Sequence, residues 1–260
     1  MILKAKKIVK GSALLCLLGS PLAAIEITSE THAVDIAGKQ RMFTQRMLKD
    51  YSMVGMGNTF GNPSEDLKKT TADFKDHLDS LISYTKSDET KKSLEVVQTL
   101  WAPLEKILSE APEKAKVTKL QEDLDTLLKA ANETTKLFAK DSGSASGEIV
   151  NMAGRQRMLS QKMAGLYMMK VWGIDDPQFK EKMNKAMELF KTSSQKLEKS
   201  ELNTEEINKL LAKVKRSFMF FEMMNKSKSK YVPSLIYKKS NDMLKNMNTA
   251  TQAYVALENK

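Results

Sequence analysis

Asp35-Ile-Ala-Gly-Lys-Gln-Arg-Met-Phe-Thr-Gln-Arg-Met47 returns later in the chain as Asn151-Met-Ala-Gly-Arg-Gln-Arg-Met-Leu-Ser-Gln-Lys-Met163. Seven of the thirteen positions are identical and the other six are conservative exchanges, too close a match for chance. The offset, 116 residues from Gly38 to Gly154, also pairs Tyr51 with Tyr167, Gly57 with Gly173, Phe74 with Phe190, Asn132 with Asn248, Thr135 with Thr251 and Phe138 with Tyr254. In one segment it slips by a residue, so that Val97 pairs with Val214 and Trp101 with Phe218. The chain is therefore a tandem duplication, with its two units packed either side by side or end to end.

Each unit reads as four helices. Apolar residues recur at three- and four-residue spacing, as in Leu120, Leu124, Leu127, Leu128 and Ala131. Only 11 Gly and 6 Pro punctuate 260 residues, which favours long helices over many strands. The predicted helices run from Ser29 to Met56, Ser64 to Lys86, Glu89 to Ser109 and Glu113 to Lys140, then Ser146 to Trp172, Pro177 to Lys199, Thr204 to Lys228 and Pro233 to Glu258. Pro103 implies a kink or a later start for the third. Asp176 reads as a cap before a helix-starting Pro177. Asp141 to Gly147 is the one linker-like stretch. Short loops between amphipathic helices favour an up-down-up-down arrangement, so the expected fold is all-α, two tandem antiparallel four-helix bundles.

The first 24 residues have the form of a secretory leader: Lys4, Lys6, Lys7 and Lys10, an apolar Ser12 to Leu18, and a cut after Ala24. An uncleaved anchor is the alternative, and Ala13-Leu14-Leu15 before Cys16 places a bulky Leu where a lipidation site needs a small residue. The domain reading is 1–24 signal peptide, 25–141 first bundle and 142–260 second bundle, exported to the periplasm. Cys16 is the sole cysteine, so a mature chain has neither disulfides nor thiolate metal sites. Loss of the leader's four lysines lowers the formal net charge from +10 to +6. The lysines are interspersed with acids, without a basic stripe, which speaks against nucleic acid. No later apolar run approaches the length of a membrane span, so no connection to a cytoplasmic output domain is expected.

On a helical wheel Gly38, Arg41 and Gln45 share a face with Met42, and Arg46 lies on its flank. Gly154, Arg157 and Gln161 do the same with Met158, flanked by Lys162. A guanidinium offers five donors in a planar fork, a glycine one turn away admits a close neighbour, and Met walls exclude water. Such a set suits a small planar anion. The competing reading is helix packing. It explains Gly and Met, but it explains a duplicated Arg and Gln less well, since a buried Arg is costly unless it is paired.

Ala37 to Met47 and Ala153 to Met163 closely resemble the signature of the PilJ-type sensory domain, the extracytoplasmic N-terminal region of type IV pilus chemotaxis transducers. The same residues are similar to the P-box of NarX-type nitrate and nitrite sensor kinases. Those sensors hold the anion between the first helices of two subunits, through an Arg three residues after a Gly. The resemblance implies ligand-binding roles for Gly38, Arg41, Gly154 and Arg157, and for the basic Arg46 and Lys162. The nitrate sensors carry a basic residue two before the Gly, where this chain has Ile36 and Met152. Here the two copies are expected to supply both halves of one pseudo-twofold site, in a monomeric pseudo-dimer or a homodimer. The expected partners are a small anion and a membrane-bound receptor of the pilus or chemotaxis type. The alternative is a structural or protein-interaction module without a small ligand.

Other chemistry is sparse. His32 and His77, the only histidines, lack metal-ligand spacing and read as surface residues. No nucleophile, base and orienter can be assembled, so no enzyme, no cofactor and no metal are expected. The 17 methionines include pairs open to a Cu(I) reading, Met42 with Met47 and Met168 with Met169, but their helical spacing favours core packing. Met223 and Met224 beside Phe218, Phe220 and Phe221 read as an apolar packing face.

Overall fold

The computed structural model describes residues 25–143, 145–226 and 231–257. The expected leader, Cys16 and the expected helix ends at 228 and 258 lie outside them. Among the described residues there are eight α-helices and no strands. The first unit comprises α1 (Glu30–Gly55), α2 (Pro63–Tyr84), α3 (Asp88–Ser109) and α4 (Val117–Ser142), with a 3₁₀ turn at Lys114–Lys116. The second comprises α5 (Ala145–Val171), α6 (Phe179–Glu198), α7 (Glu205–Lys226) and α8 (Pro233–Ala256). Among the described residues no helix is long and apolar enough to cross a membrane.

Local chemistry sets the helix ends. Ser29 and Ser87 accept from the backbone N–H groups of His32 and Thr90, capping α1 and α3. Pro63 and Pro233 open α2 and α8, where the missing N–H costs nothing. α1 and α5 stop in the same way. Gly57 (φ 68°) and Gly173 (φ 77°) turn left-handed, and the next residues, Asn58 and Ile174, donate back to Met53 and Met169 carbonyls. One alternative is decided and two expectations are corrected. α3 passes through Pro103 from a start at Asp88, which excludes the later start. α6 begins at Phe179 rather than Pro177, because the Asp176 carboxylate and carbonyl hold a turn over Gln178 and Phe179. The linker between copies shrinks to a corner: α4 runs on to Ser142, Gly143 caps it at φ 57°, and α5 starts at Ala145.

The two units share one continuous apolar core, with α1 and α5 at its centre. These helices run parallel. Gly38 lies against Gly154 at one level, and Gly165 lies against the Gln45 carbonyl and the Lys49 amide farther along. Each is flanked by the antiparallel last helix of its own unit. α4 meets α1 through Asn132–Arg41 and Asp125–Gln45, and Glu113, before the 3₁₀ turn, donates its amide to Tyr51. α8 meets α5 through Asn248–Arg157 and Ser240–Gln161, and Val232, at the cap of α8, donates its amide to Tyr167. The outer helices repeat the same contacts: Gln40 and Gln156 donate to the Phe74 and Phe190 carbonyls at 2.9 and 3.0 Å. Phe74 packs on Trp101, and Phe190 on Phe218. Met42, Met47, Met168 and Met169 are buried in this core. On the α7 face Phe218 and Phe221 are buried while Met223 is exposed.

Candidate functional site

At the crossing of α1 and α5 the signature glycines remove two Cβ atoms. A Cβ on Gly38 would lie 4.0 Å from the Gly154 Cα, and one on Gly154 would lie 3.8 Å from the Gly38 Cα. The space so gained is filled by both signature arginines. A Cβ on Gly38 would meet the Nη2 atoms of Arg157 and Arg41 at 3.2 and 3.3 Å, and one on Gly154 would meet them at 3.1 and 3.0 Å. The two guanidiniums, from helices whose Arg residues are 116 positions apart in sequence, thus flank one point. Both are fully buried.

Their acceptors follow the duplication. Arg41 Nη1 donates to Asn132 Oδ1 at 3.0 Å and Asn151 Oδ1 at 2.9 Å, and Nη2 donates to the Asn151 carbonyl at 3.1 Å. Arg157 Nη1 donates to Asn248 Oδ1 at 3.2 Å and Asp35 Oδ1 at 2.6 Å, and Nη2 donates to the Asp35 carbonyl at 3.3 Å. Each arginine is held by the other unit's first helix and its own unit's last. One exchange breaks the symmetry: Asp35 stands where the second copy has Asn151. Asp35 is also paired with Lys39 at 2.9 Å. Burial opposes its ionisation, but Arg157 and Lys39 together hold its carboxyl down at about 2. Arg41 has no carboxylate. Burial first, and then the charges of Arg155 and Arg157, depress it to about 9. The Nε atoms of both arginines are buried without a hydrogen-bond partner. Two buried guanidiniums of which only one has a carboxylate partner leave unspent donors and positive charge, the conditions for taking up an anion.

The remaining expected site residues lie farther along the same helices. Gln45 donates to the Asp125 carboxylate at 3.1 Å, and Gln161 donates to the Ser240 carbonyl at 3.0 Å. Arg46 pairs with Asp66 at 2.8 Å, and Lys162 with Asp125 at 2.8 Å. None of these four side chains is hydrogen-bonded to the arginine pair. They cross-brace the helices that carry it.

A second buried polar layer lies beside them. Lys49 is fully buried, donates to Gln161 Oε1 at 2.8 Å and Asn241 Oδ1 at 2.7 Å, and sits 4.2 Å from the Tyr237 ring centroid. Burial lowers its ammonium to about 8 against the raising effect of Asp50. Its counterpart is Gly165, so this lysine belongs to one copy only.

Sequence reasoning missed the acceptors, Asp35, Asn132, Asn151 and Asn248. Their signal was available: Asn132 and Asn248 are polar identities inside an apolar repeat, and Asp35 and Asn151 open the signature. The histidines are corrected too. His77 is buried at the edge of Phe43, 5.0 Å between ring centroids, and burial, then Lys39, lowers it to about 4. His32 is half-buried, with its Nδ1 accepting from the Thr28 amide.

The fold and this crossing define a class: a duplicated helical module whose two first helices meet through paired, buried arginines. The chain belongs to the PilJ family of sensory domains, described as the type IV pili methyl-accepting chemotaxis transducer N-terminal domain, whose model matches residues 26–134 and 139–218. No curated protein and no solved structure matches the chain.

Proposed function

We propose that this protein is a periplasmic sensor module that binds a small anion, with nitrate and nitrite as the leading candidates, between its two signature helices. It reports the bound state to a membrane partner in a pilus or chemotaxis pathway. The observation that carries the reading is the meeting of Arg41 and Arg157 at a glycine crossing, both fully buried, with a carboxylate on Arg157 alone. A bound monoanion neutralises the excess charge in a place where water does not, and it occupies the free Nε donors. Gly38 and Gly154 provide the approach. Gln45, Arg46, Gln161 and Lys162 set the spacing of the helices. Binding that changes the separation of α1 and α5 alters the centre of both units at once, which offers a route from ligand to surface.

The second reading, a non-catalytic interaction module, draws on the fact that the Nη atoms already have protein acceptors. Thermal melting separates the two. Nitrate or nitrite should raise the melting temperature at constant ionic strength, with a stabilisation of about 2.7 kcal/mol at a hundredfold excess over Kd. Arg41→Ala and Arg157→Ala should remove that response. If no anion shifts the parent protein, or if the shift survives in both variants, the sensor reading falls and the interaction module stands.

A further inference from the structure

The first unit displays what the second lacks. The Asp35 carboxylate bridges two cations, Arg157 through Oδ1 at 2.6 Å and Lys39, one turn along α1, through Oδ2 at 2.9 Å. The equivalent cations of the other half are Arg41 and Arg155, and the residue equivalent to Asp35 is the neutral Asn151. Asn151 still occupies the right place, since its side chain accepts from Arg41 Nη1 at 2.9 Å. It contributes no charge. Arg155, half-buried and one turn along α5 from Asn151, has no ion pair among the described residues, although its counterpart Lys39 has one. The Nε atoms of Arg41 and Arg157 are both buried and unpartnered, so the halves differ in charge and not in this donor.

The two halves also differ in access. Asp35 is buried, whereas Asn151 is half-buried and forms part of the wall of a solvent-open cleft of about 490 Å³ between α4 and α5. Lys136, Lys140, Glu148, Met152 and Arg155 line it as well. Lys136 and Lys140 are paired outward with Glu133 and Glu89, which leaves Arg155 as the cation facing the Asn151 wall. On the pseudo-equivalent α8–α1 face the corresponding positions include Val255 and Ala256 of α8 in place of Ala139 and Lys140, so the sequence there supplies no equivalent basic mouth.

We infer that the ligand is a planar monoanion with two carboxylate-like oxygens, which enters by the α4–α5 cleft and takes beside Asn151 the part that Asp35 plays in the other half, neutralising Arg41 and Arg155. Asp35 is thus a permanent internal ligand and Asn151 marks the exchangeable half. This rests on the anion-binding reading above and adds to it the class, the stoichiometry and the side of entry. Nitrate, nitrite and formate share the required shape and charge. A dianion brings one charge more than the missing carboxylate would.

The test is titration calorimetry of the full chain with sodium nitrate, sodium formate and sodium sulfate, on the parent, Asn151→Asp, Asp35→Asn and Arg155→Gln. The parent should bind one equivalent of nitrate or formate and no sulfate. Asn151→Asp supplies the missing carboxylate. It should abolish binding while raising the melting temperature without anion, so its loss of binding is not a loss of fold. Arg155→Gln should weaken binding in a chain of unchanged stability. Asp35→Asn, where it folds, should bind a second equivalent. If the parent binds nitrate and Asn151→Asp binds it equally well, or sulfate competes equally, the inference is overturned while the anion-binding reading survives. If the parent binds none of the three, and sodium nitrite titrated in the same way does not bind either, both are lost.

Discussion

The Arg157 half and the Arg41 half began as copies and now present different electrostatics on one scaffold. Both arginines are fully buried, both are reached by an asparagine from the last helix of the same unit, and both contact the first helix of the other. In one half the contact is a carboxylate further tied to Lys39; in the other it is an amide beside Arg155, which has no ion pair among the described residues. A single oxygen-for-nitrogen exchange, Asp35 against Asn151, separates a closed ion pair from an unsatisfied cation. A duplicated chain can make that exchange on one side of the axis, whereas a symmetric dimer of one unit must make it on both sides or neither.

The largest effect expected from this difference is thermodynamic. Arg157→Met leaves Asp35 buried with Lys39 alone, and breaking a buried pair in this way costs about 3–5 kcal/mol. Arg41→Met removes a buried charge that has no carboxylate to orphan. Its cost is the lost hydrogen bonds to two half-buried asparagines, offset by relief of desolvation, so its stability should lie within about 1 kcal/mol of the parent. Urea unfolding of both variants measures the gap. Equal losses would mean that the halves differ in sequence but not in energy, and the comparison would break.

How much of this was legible beforehand follows the same line. The helices, the duplication and the Gly–Arg face came from periodicity and from identity between copies, because a helix imposes its spacing on the sequence. The pairing of Arg41 with Arg157 needed the family resemblance, because nothing in the spacing says that α1 and α5 run side by side and parallel. The asymmetry was written in the first letter of each signature. It was passed over because Asp and Asn are nearly isosteric, and only burial turns their difference into an energy. His77 was misread for a related reason: an isolated histidine carries no pattern, and its burial depends on α2 packing against Phe43.

His77 gives the next sharpening of the comparison, since its counterpart is Ser193, which accepts from Gln156. In the folded chain burial holds the imidazole at about 4, below its ordinary 6.5. Between these values the unfolded chain binds the extra proton. Stability therefore rises with pH across that window and is lost as pH falls from 6.5 toward 4, by up to about 3 kcal/mol. His77→Ser, which installs the second copy's residue, should flatten that slope. His32 is lowered as well and titrates in both proteins, so the difference between the two pH profiles isolates His77. An unchanged slope in the variant would mean that the acid sensitivity lies elsewhere.

The smallest effect lies at the far end of the central helices. Gly55 ends α1 where the second copy has Val171, and Trp172 of α5 stands where the first copy has Met56. A Cβ on Gly55 would lie 2.2 Å from Trp172 Cη2 and 2.3 Å from Cζ2, so the indole uses the space left by the absent side chain. The neighbouring Tyr51 ring, at 6.3 Å between centroids, limits how far the indole retreats. Gly55→Ala gains helix propensity worth at most about 1 kcal/mol, but overpacking against a large ring costs about 1–3 kcal/mol, so a net loss is expected. Trp172→Met in the same chain restores the first copy's residue and removes the clash. The double variant should then be more stable than the sum of the single changes predicts, which a double-mutant cycle measures directly. Additive effects would place the glycine requirement in the backbone at the end of α1 and not in the meeting of the two copies.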